Sequence, residues 1–227
     1  MSKKVVMSWS SGKDSCYAMH RLLEEGWEVV ALLSMVSDEY RRNHVHGIPF
    51  KPLELQAEAL GIPLVMRDSG EDHEKGFVEG LADVRDEYGA DAVAFGTLYV
   101  ERDRKWNAAA AEAAGLEPLF PMWIPRGKAG DLLREWIGLG YESIVCRASE
   151  TELDSSWVGQ ALDADFIDKV SGTSICPMGE LGEYHTVVVD GPLFHKRLEI
   201  ISSETVLNSG LWSMDILEAS LISASYR

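Results

Sequence analysis

The chain has 227 residues, 46% of them hydrophobic, and a net charge of −16 from 21 basic and 37 acidic residues. That length allows one large domain or two small ones with a proper core, and that charge repels phosphate backbones, which excludes broad nucleic-acid binding. The three cysteines Cys16, Cys146 and Cys176 are scattered, odd in number and form no CxxC pair, so the chain reads as one for a reducing compartment and not as a disulfide framework.

The start, MSKK, leads into only four or five apolar residues. That is too short for a signal core or a membrane span, so a cytoplasmic protein with no membrane association is expected. Val5–Trp9 predicts a buried strand, and Asp14–Glu25 a helix closed by Gly26. Glu28–Val36 predicts a second strand, Lys51–Leu60 a helix, and Pro63–Met66 a third strand. Glu71–Tyr88 predicts a long helix, Asp91–Tyr99 a strand, Asp103–Ala114 an Ala-rich helix and Leu119–Met122 a fifth strand. Strands alternating with helices imply right-handed βαβ units, hence an α/β fold with a doubly wound, mostly parallel sheet. Ligands of such sheets sit beyond the carboxyl ends of the strands.

The texture changes after PMWIPRG. Residues 130–146 predict one more helix and a strand. From about residue 165 the chain reads as β-rich, and the last two runs, separated by Asn208–Gly210, read as a hairpin. The expected division is 1–126 for a nucleotide-binding domain and 127–227 for a smaller α+β domain, with the hairpin edge a possible homodimer surface.

Between the first strand and its helix stand Ser10, Ser11, Gly12, Lys13, Asp14 and Ser15. Small residues let backbone N–H groups approach an anion, and a helix start adds roughly half a positive charge. The serine hydroxyls add donors and Lys13 a full charge. Neither GxxxxGK[ST] nor GxGxxG is present. The hexapeptide instead resembles SGGxDS, the pyrophosphate loop of the PP-loop ATP pyrophosphatases, with Ser11 at the usual first glycine. The resemblance implies that the loop holds the outer phosphates of ATP, and that Asp14 helps bind Mg²⁺ or caps the helix start.

A wider resemblance spans nearly the whole chain. SWSSGKDS, HGIPF with LELQAEALGIPL, FGTLYVERDR, GLEPLFPMW and GELGEYHTVVVDGPLF resemble the diphthine–ammonia ligase family. That likeness implies an adenine-nucleotide alpha-hydrolase-like (HUP-type) ATP-binding domain, a C-terminal domain completing the substrate site, and ATP-dependent amidation of a carboxylate with AMP and pyrophosphate released. Where diphthamide-making members carry a motif like EGGEYET, this chain has Glu180-Leu181-Gly182-Glu183-Tyr184-His185-Thr186. Leu181 replaces a glycine and His185 an acid, and Met178 stands where a cysteine is expected. The pattern looks like a bacterial-type branch whose acceptor is not fixed by the resemblance.

Carboxylate activation needs phosphate charge neutralised and water excluded. Lys13 is the expected neutralising group. His46 and Gly47, and Gly96 and Thr97, fall after strands and are expected at the nucleotide, though Gly96 equally suits helix–strand packing. Arg104 is expected on the α-phosphate or the substrate carboxylate. Glu180 and Glu183 are candidates for Mg²⁺, ammonia or its proton, with Tyr184, His185 and Thr186 at the substrate. Gln56 and Glu58 read as solvated helix residues and His44 as part of a flexible segment. Cys16 reads as core beside Met19 and Leu23, and Trp9, Trp106 and Trp123 as packing residues. Cys176 with His185 falls short of a closed zinc site. The nitrogen donor is expected to be free ammonia or an amine, or to come from a partner, since no glutaminase pattern is seen. A tRNA-modifying PP-loop enzyme and a non-catalytic adenine-nucleotide sensor are the competing readings.

Overall fold

A computed structural model describes residues 3–224. The chain divides into two compact units. The first holds the chain up to Ser10, Asp14–His44 and Ile62–Trp123; the second holds Ser11–Lys13, Val45–Gly61 and the chain from Ile124 on.

In chain order come β1 (Lys4–Ser8), α1 (Lys13–Glu24), β2 (Glu28–Ser37) and β3 (Arg42–Asn43). Next are α2 (Phe50–Leu60), β4 (Leu64–Asp68), α3 (His73–Tyr88), β5 (Ala92–Ala94), α4 (Glu101–Ala113) and β6 (Glu117–Leu119). Then follow α5 (Ala129–Gly138), β7 (Glu142–Ser149), α6 (Ala164–Ser171), β8 (Tyr184–Asp190), β9 (Lys196–Asn208) and β10 (Leu211–Ser223).

The first unit is built on a sheet in which β1 lies between β2 and β5, β6 follows β5, and β4 pairs with β2. All of these pairs are parallel, and only the short β3 runs antiparallel, against the end of β2. Val5, Val6 and Met7 are fully buried, which explains the unbroken apolar run: a central parallel strand is covered on both faces. Val6, Leu33 and Val93 of the sheet pack with Phe77 and Leu81 of α3 and Ala111 of α4. The chain winds from β1 outward to β2 and β4, then returns to β5 beside β1. That reversal opens a crevice at the carboxyl ends of β1 and β5. The residues after those strands are Ser10 and Gly96.

Some expected boundaries shift. The fifth strand is Glu117–Leu119 and not Leu119–Met122, because the chain turns at Phe120, whose carbonyl accepts from Trp123 N at 3.1 Å. The fourth keeps only Ala92–Ala94 of the expected Asp91–Tyr99. The apolar stripe of α1 runs through Cys16, Met19 and Leu22, all buried, while Leu23 is 37% exposed.

The second unit carries an antiparallel sheet in the order β8, β7, β10, β9, with α2 packed on β9 and β10. Ser209 and Gly210 have φ of 51° and 80°, the positive pair that a tight hairpin turn requires, and β9 and β10 pair along their length as expected. The β-rich reading from residue 165 missed α6. Asp163 caps it by accepting from Phe166 N at 2.9 Å, and Phe166 and Val170 are buried one turn apart. Eight residues give too little periodicity to reveal such a helix. Phe166 then meets the Tyr184 ring edge-on at 5.4 Å, so α6 supports the strand that carries the candidate motif. No described helix is long and apolar enough to cross a membrane.

Candidate active site

Within the second unit, the Ser11 carbonyl accepts from Val188 N and from Gln56 Nε2, both at 3.0 Å. Lys13 N donates to Thr186 Oγ1 at 3.0 Å. The segment Ser11–Lys13 thus lies along β8 as a short added edge, which satisfies its backbone groups. Gln56 is fully buried and also donates to Val188 O at 2.7 Å. The expectation of a solvated Gln56 is therefore wrong: its amide bridges the loop and β8. Glu58 is exposed and pairs with Lys196 at 2.8 Å.

Ser11 has φ 73°, and its fully buried hydroxyl has no hydrogen-bond partner among the described residues. A left-handed serine with an orphan donor is costly. At Gly12 a Cβ would overlap His46 Cε1 and lie 3.0 Å from the Thr186 carbonyl, so only glycine fits. Small residues, an unspent hydroxyl and the start of α1 suit a phosphate chain.

In the first unit, Ser10 Oγ and Ser15 Oγ share a 3.1 Å hydrogen bond, and Asn43 Nδ2 donates to Ser10 O at 2.9 Å. A Cβ at Gly96 would come 2.6 Å from the Asp14 carbonyl carbon, so this glycine lets β5 pack against the start of α1. Thr97 Oγ1 accepts from Asn107 Nδ2 at 3.1 Å. Asp14 is half-buried at the start of α1.

Electrostatics dominate the second-unit cluster. Lys13 is 1% exposed; its ammonium donates to Met178 O at 2.6 Å and lies 4.9 Å from the Tyr184 ring centre. Tyr184 is locked in turn by donating its hydroxyl to Pro177 O at 2.6 Å. The Glu183 carboxylate accepts from Cys176 N at 2.7 Å and Leu181 N at 2.9 Å. Both of its oxygens therefore close the loop that precedes β8. Glu180 is half-buried in that loop.

His46 is buried and bonds Thr186 O through Nδ1 at 2.7 Å. A carbonyl only accepts, so Nδ1 carries the proton and Nε2 is the acceptor. Its ring lies 4.8 Å from that of His185. Burial holds the His46 pKa well below the usual range, and His185, Lys13 and Arg147 push it the same way against the Thr186 bond. Burial, then Lys13 and Arg147, lower His185 to about 4. Both imidazoles are neutral near pH 7. Arg147 sits opposite His185 across β7 and β8 and donates to Val45 O at 2.7 Å. Gly47, at φ 69°, has its backbone against that guanidinium, where any Cβ would collide. Sequence reading missed Arg147, which looked like one more residue of the strand SIVCRA.

Arg104 of α4, in the first unit, lies 4.6 Å from the Trp123 ring centre and 5.4 Å from that of Phe120. Stacking on aromatic faces fixes a guanidinium without cancelling its charge. His44, expected in a flexible segment, is tied to Ser69 Oγ at 2.6 Å. Trp9 is buried as expected, while Trp106 stacks on Phe77 at 5.4 Å and is 36% exposed.

Among the described residues no three of His, Cys, Asp and Glu gather as metal ligands.

Comparison with known proteins bears on this cluster. Residues 3–118 match the family model for the diphthamide synthase N-terminal domain, and residues 128–222 that for its C-terminal domain. The chain is similar to the diphthine–ammonia ligase of Rattus norvegicus, at 30% identity over 88% of this chain and 84% of the relative. It is similar to the Homo sapiens protein of that name at 28% identity with the same coverage. Against the Schizosaccharomyces pombe protein of that name, identity is 27% over 91% of this chain and 37% of the relative.

Proposed function

The chain belongs to the diphthamide synthase family and is an ATP-dependent, amide-forming ligase; we propose that it works by adenylating a substrate carboxylate, with AMP and pyrophosphate as products. Residues 1–126 carry the nucleotide, and residues 127–227 complete the site for the acid. When bound, ATP supplies a phosphorus that takes the carboxylate oxygen and makes AMP the leaving group.

The observation that carries this reading is the bonding of Ser11–Lys13 to β8 through Val188, Gln56 and Thr186. In this proposal the backbone of Ser11, Gly12 and Lys13 grips the departing diphosphate, helped by the hydroxyls of Ser10, Ser11 and Ser15. Asp14 takes the Mg²⁺ that accompanies the phosphates. Gly96 and Thr97, and His46 and Gly47, line the nucleotide. Lys13 neutralises negative charge where oxygen and phosphorus meet, worth about 10²–10³ in rate on the scale of a preorganised donor.

Tyr184, His185, Thr186 and Arg104 hold the acid. Glu183 is a positioning residue, because both its oxygens are taken by backbone amides. Glu180 is the candidate acceptor for the proton that ammonia or an amine loses. The acceptor is a small or protein-borne carboxylate, with diphthine the precedent in the relatives' name. Three buried free cysteines suit a cytoplasmic setting, and a homodimer through the β9 edge is part of the same reading.

Phosphorus NMR on ATP, Mg²⁺, ammonium and a panel of acids tests the proposal. AMP and pyrophosphate should appear one for one, only with an acid present. ADP and orthophosphate would overturn it.

A further inference from the structure

In a chain with 37 acidic residues against 21 basic ones, a carboxylate partner for an arginine is easily supplied. In the first unit Arg67 pairs with Glu79 and Asp83, Arg85 with Asp86, and Arg102 with Asp103. Arg104 does not follow them. Its half-buried guanidinium makes no hydrogen bond or ion pair with any other described residue. Ring faces hold it instead, with the Trp123 ring centre at 4.6 Å and that of Phe120 at 5.4 Å. Those rings are themselves fixed. They stand at the two ends of the turn after β6, which Trp123 N closes on Phe120 O at 3.1 Å. Arg21 of α1 donates to Pro121 O within that turn at 3.0 Å, and Phe95 stacks on Phe120 at 5.4 Å. Phe95 and Phe120 directly follow β5 and β6, and Arg104 lies in the first turn of α4. All three are therefore at the carboxyl edge of the parallel sheet, where ligands of such sheets bind. Lying over ring faces, the guanidinium keeps its edge for hydrogen bonds. A carboxylate is flat and can share that plane through two parallel bonds. The out-of-plane oxygens of a phosphate would meet the negative faces of the rings.

We propose that Phe120 and Trp123 are positioning residues that hold Arg104 as a fork for a carboxylate of the acceptor, and that the flat slot between ring faces selects this carboxylate over a phosphate. Trp123 thereby has a task beyond packing. That the carboxylate belongs to the acceptor rests on the ligase reading; the fork itself does not. The rings fix the guanidinium without cancelling its charge, so the acid meets a donor that is already oriented.

The test uses the full chain without ATP. Arginine is labelled with ¹⁵N, and the Arg104 Nε–H resonance, assigned through Arg104→Gln, is followed during titration with acetate, with inorganic phosphate and with pyrophosphate. Acetate should shift that resonance and saturate. Inorganic phosphate should bind at least about tenfold more weakly, the scale of one hydrogen bond to a charged group. Trp123→Leu should weaken acetate by about two- to thirtyfold, the range of a cation–π contact, and Trp123→Phe, which keeps a ring, should recover most of it. Equal affinity for acetate and phosphate, no saturation with acetate, or acetate affinity unmoved in Trp123→Leu would overturn the proposal. So would displacement of acetate by pyrophosphate, which would assign the fork to the nucleotide. Should Trp123→Leu fail to fold, the contrast between acetate and phosphate in the parent protein still decides. Acetate held at Arg104 in a protein that forms no AMP from ATP with any acid would count against the ligase reading and leave the fork standing. AMP formed with an acid while the Arg104 resonance never moves would overturn the fork and leave the ligase reading standing.

Discussion

Gly12 and His46 are packed so closely that a methyl group on Gly12 would overlap the imidazole. The contact joins the turn after β1 to the segment before α2, and it makes the glycine a matter of space as well as backbone freedom. Gly12→Ala should destabilise the protein by about 1–3 kcal/mol, as overpacking does. Adding His46→Ala should restore part of that loss in thermal melts. A melt unchanged by Gly12→Ala would show that the contact is not tight.

Ser11 offers a separation of backbone from side chain. Ser11→Gly removes the left-handed strain at φ 73° and should stabilise the fold by up to about 1 kcal/mol, less the entropy that glycine loses. Ser11→Ala keeps the strain but deletes the orphan hydroxyl. It should raise the melt slightly, since the cost of the buried orphan goes with it, and weaken ATP binding by about ten- to a hundredfold, the value of one hydrogen bond to a charged group. Calorimetric titration with ATP and Mg²⁺ checks both; parent-like affinity in Ser11→Ala would remove the hydroxyl from the phosphate site.

Lys13→Ala should lower turnover by about 10²–10³ while the fold persists, since Thr186 bonds the backbone N–H of Lys13 and not its ammonium. Single-turnover AMP formation measures this. Near-parent rates in a folded Lys13→Ala would take the ammonium out of the reaction.

Acid should unfold the protein through its buried imidazoles. His185 titrates near 4 in the fold against 6.5 in the open chain, and His46 is displaced in the same direction. Between those values the unfolded state binds more protons, so stability is complete above about pH 6.5 and falls as pH drops toward 4. His185 contributes at most about 2 kcal/mol of that loss by pH 5. Denaturant midpoints from pH 7 to 5 should fall steeply in the parent and less in His185→Gln. Equal slopes would show that the imidazoles are not held neutral.

Much of the fold was legible because its signals are local. Small residues after an apolar run marked the β1 turn, glycines closed the helices, and Asn208–Gly210 marked the β9–β10 hairpin. The second-unit cluster was legible only in part, because its partners lie far apart in the chain. Gln56 looked solvated since its neighbours Glu54 and Glu58 are charged, yet its amide spans Ser11 and Val188. Arg147 was hidden in a strand run, and only the pairing of β7 with β8 sets it beside His185. Glu183 was read as chemistry; its backbone partners Cys176 and Leu181 give it a structural task that spacing alone does not reveal. The helix α6 lacked the length to announce itself.

The most direct test follows oxygen. An acceptor acid labelled with ¹⁸O in its carboxyl group is turned over with ATP, Mg²⁺ and ammonium, and the phosphate products are weighed by mass spectrometry. One label per turnover should arrive in AMP, with none in pyrophosphate. Label found in orthophosphate beside ADP, or AMP formed without label, would contradict the account.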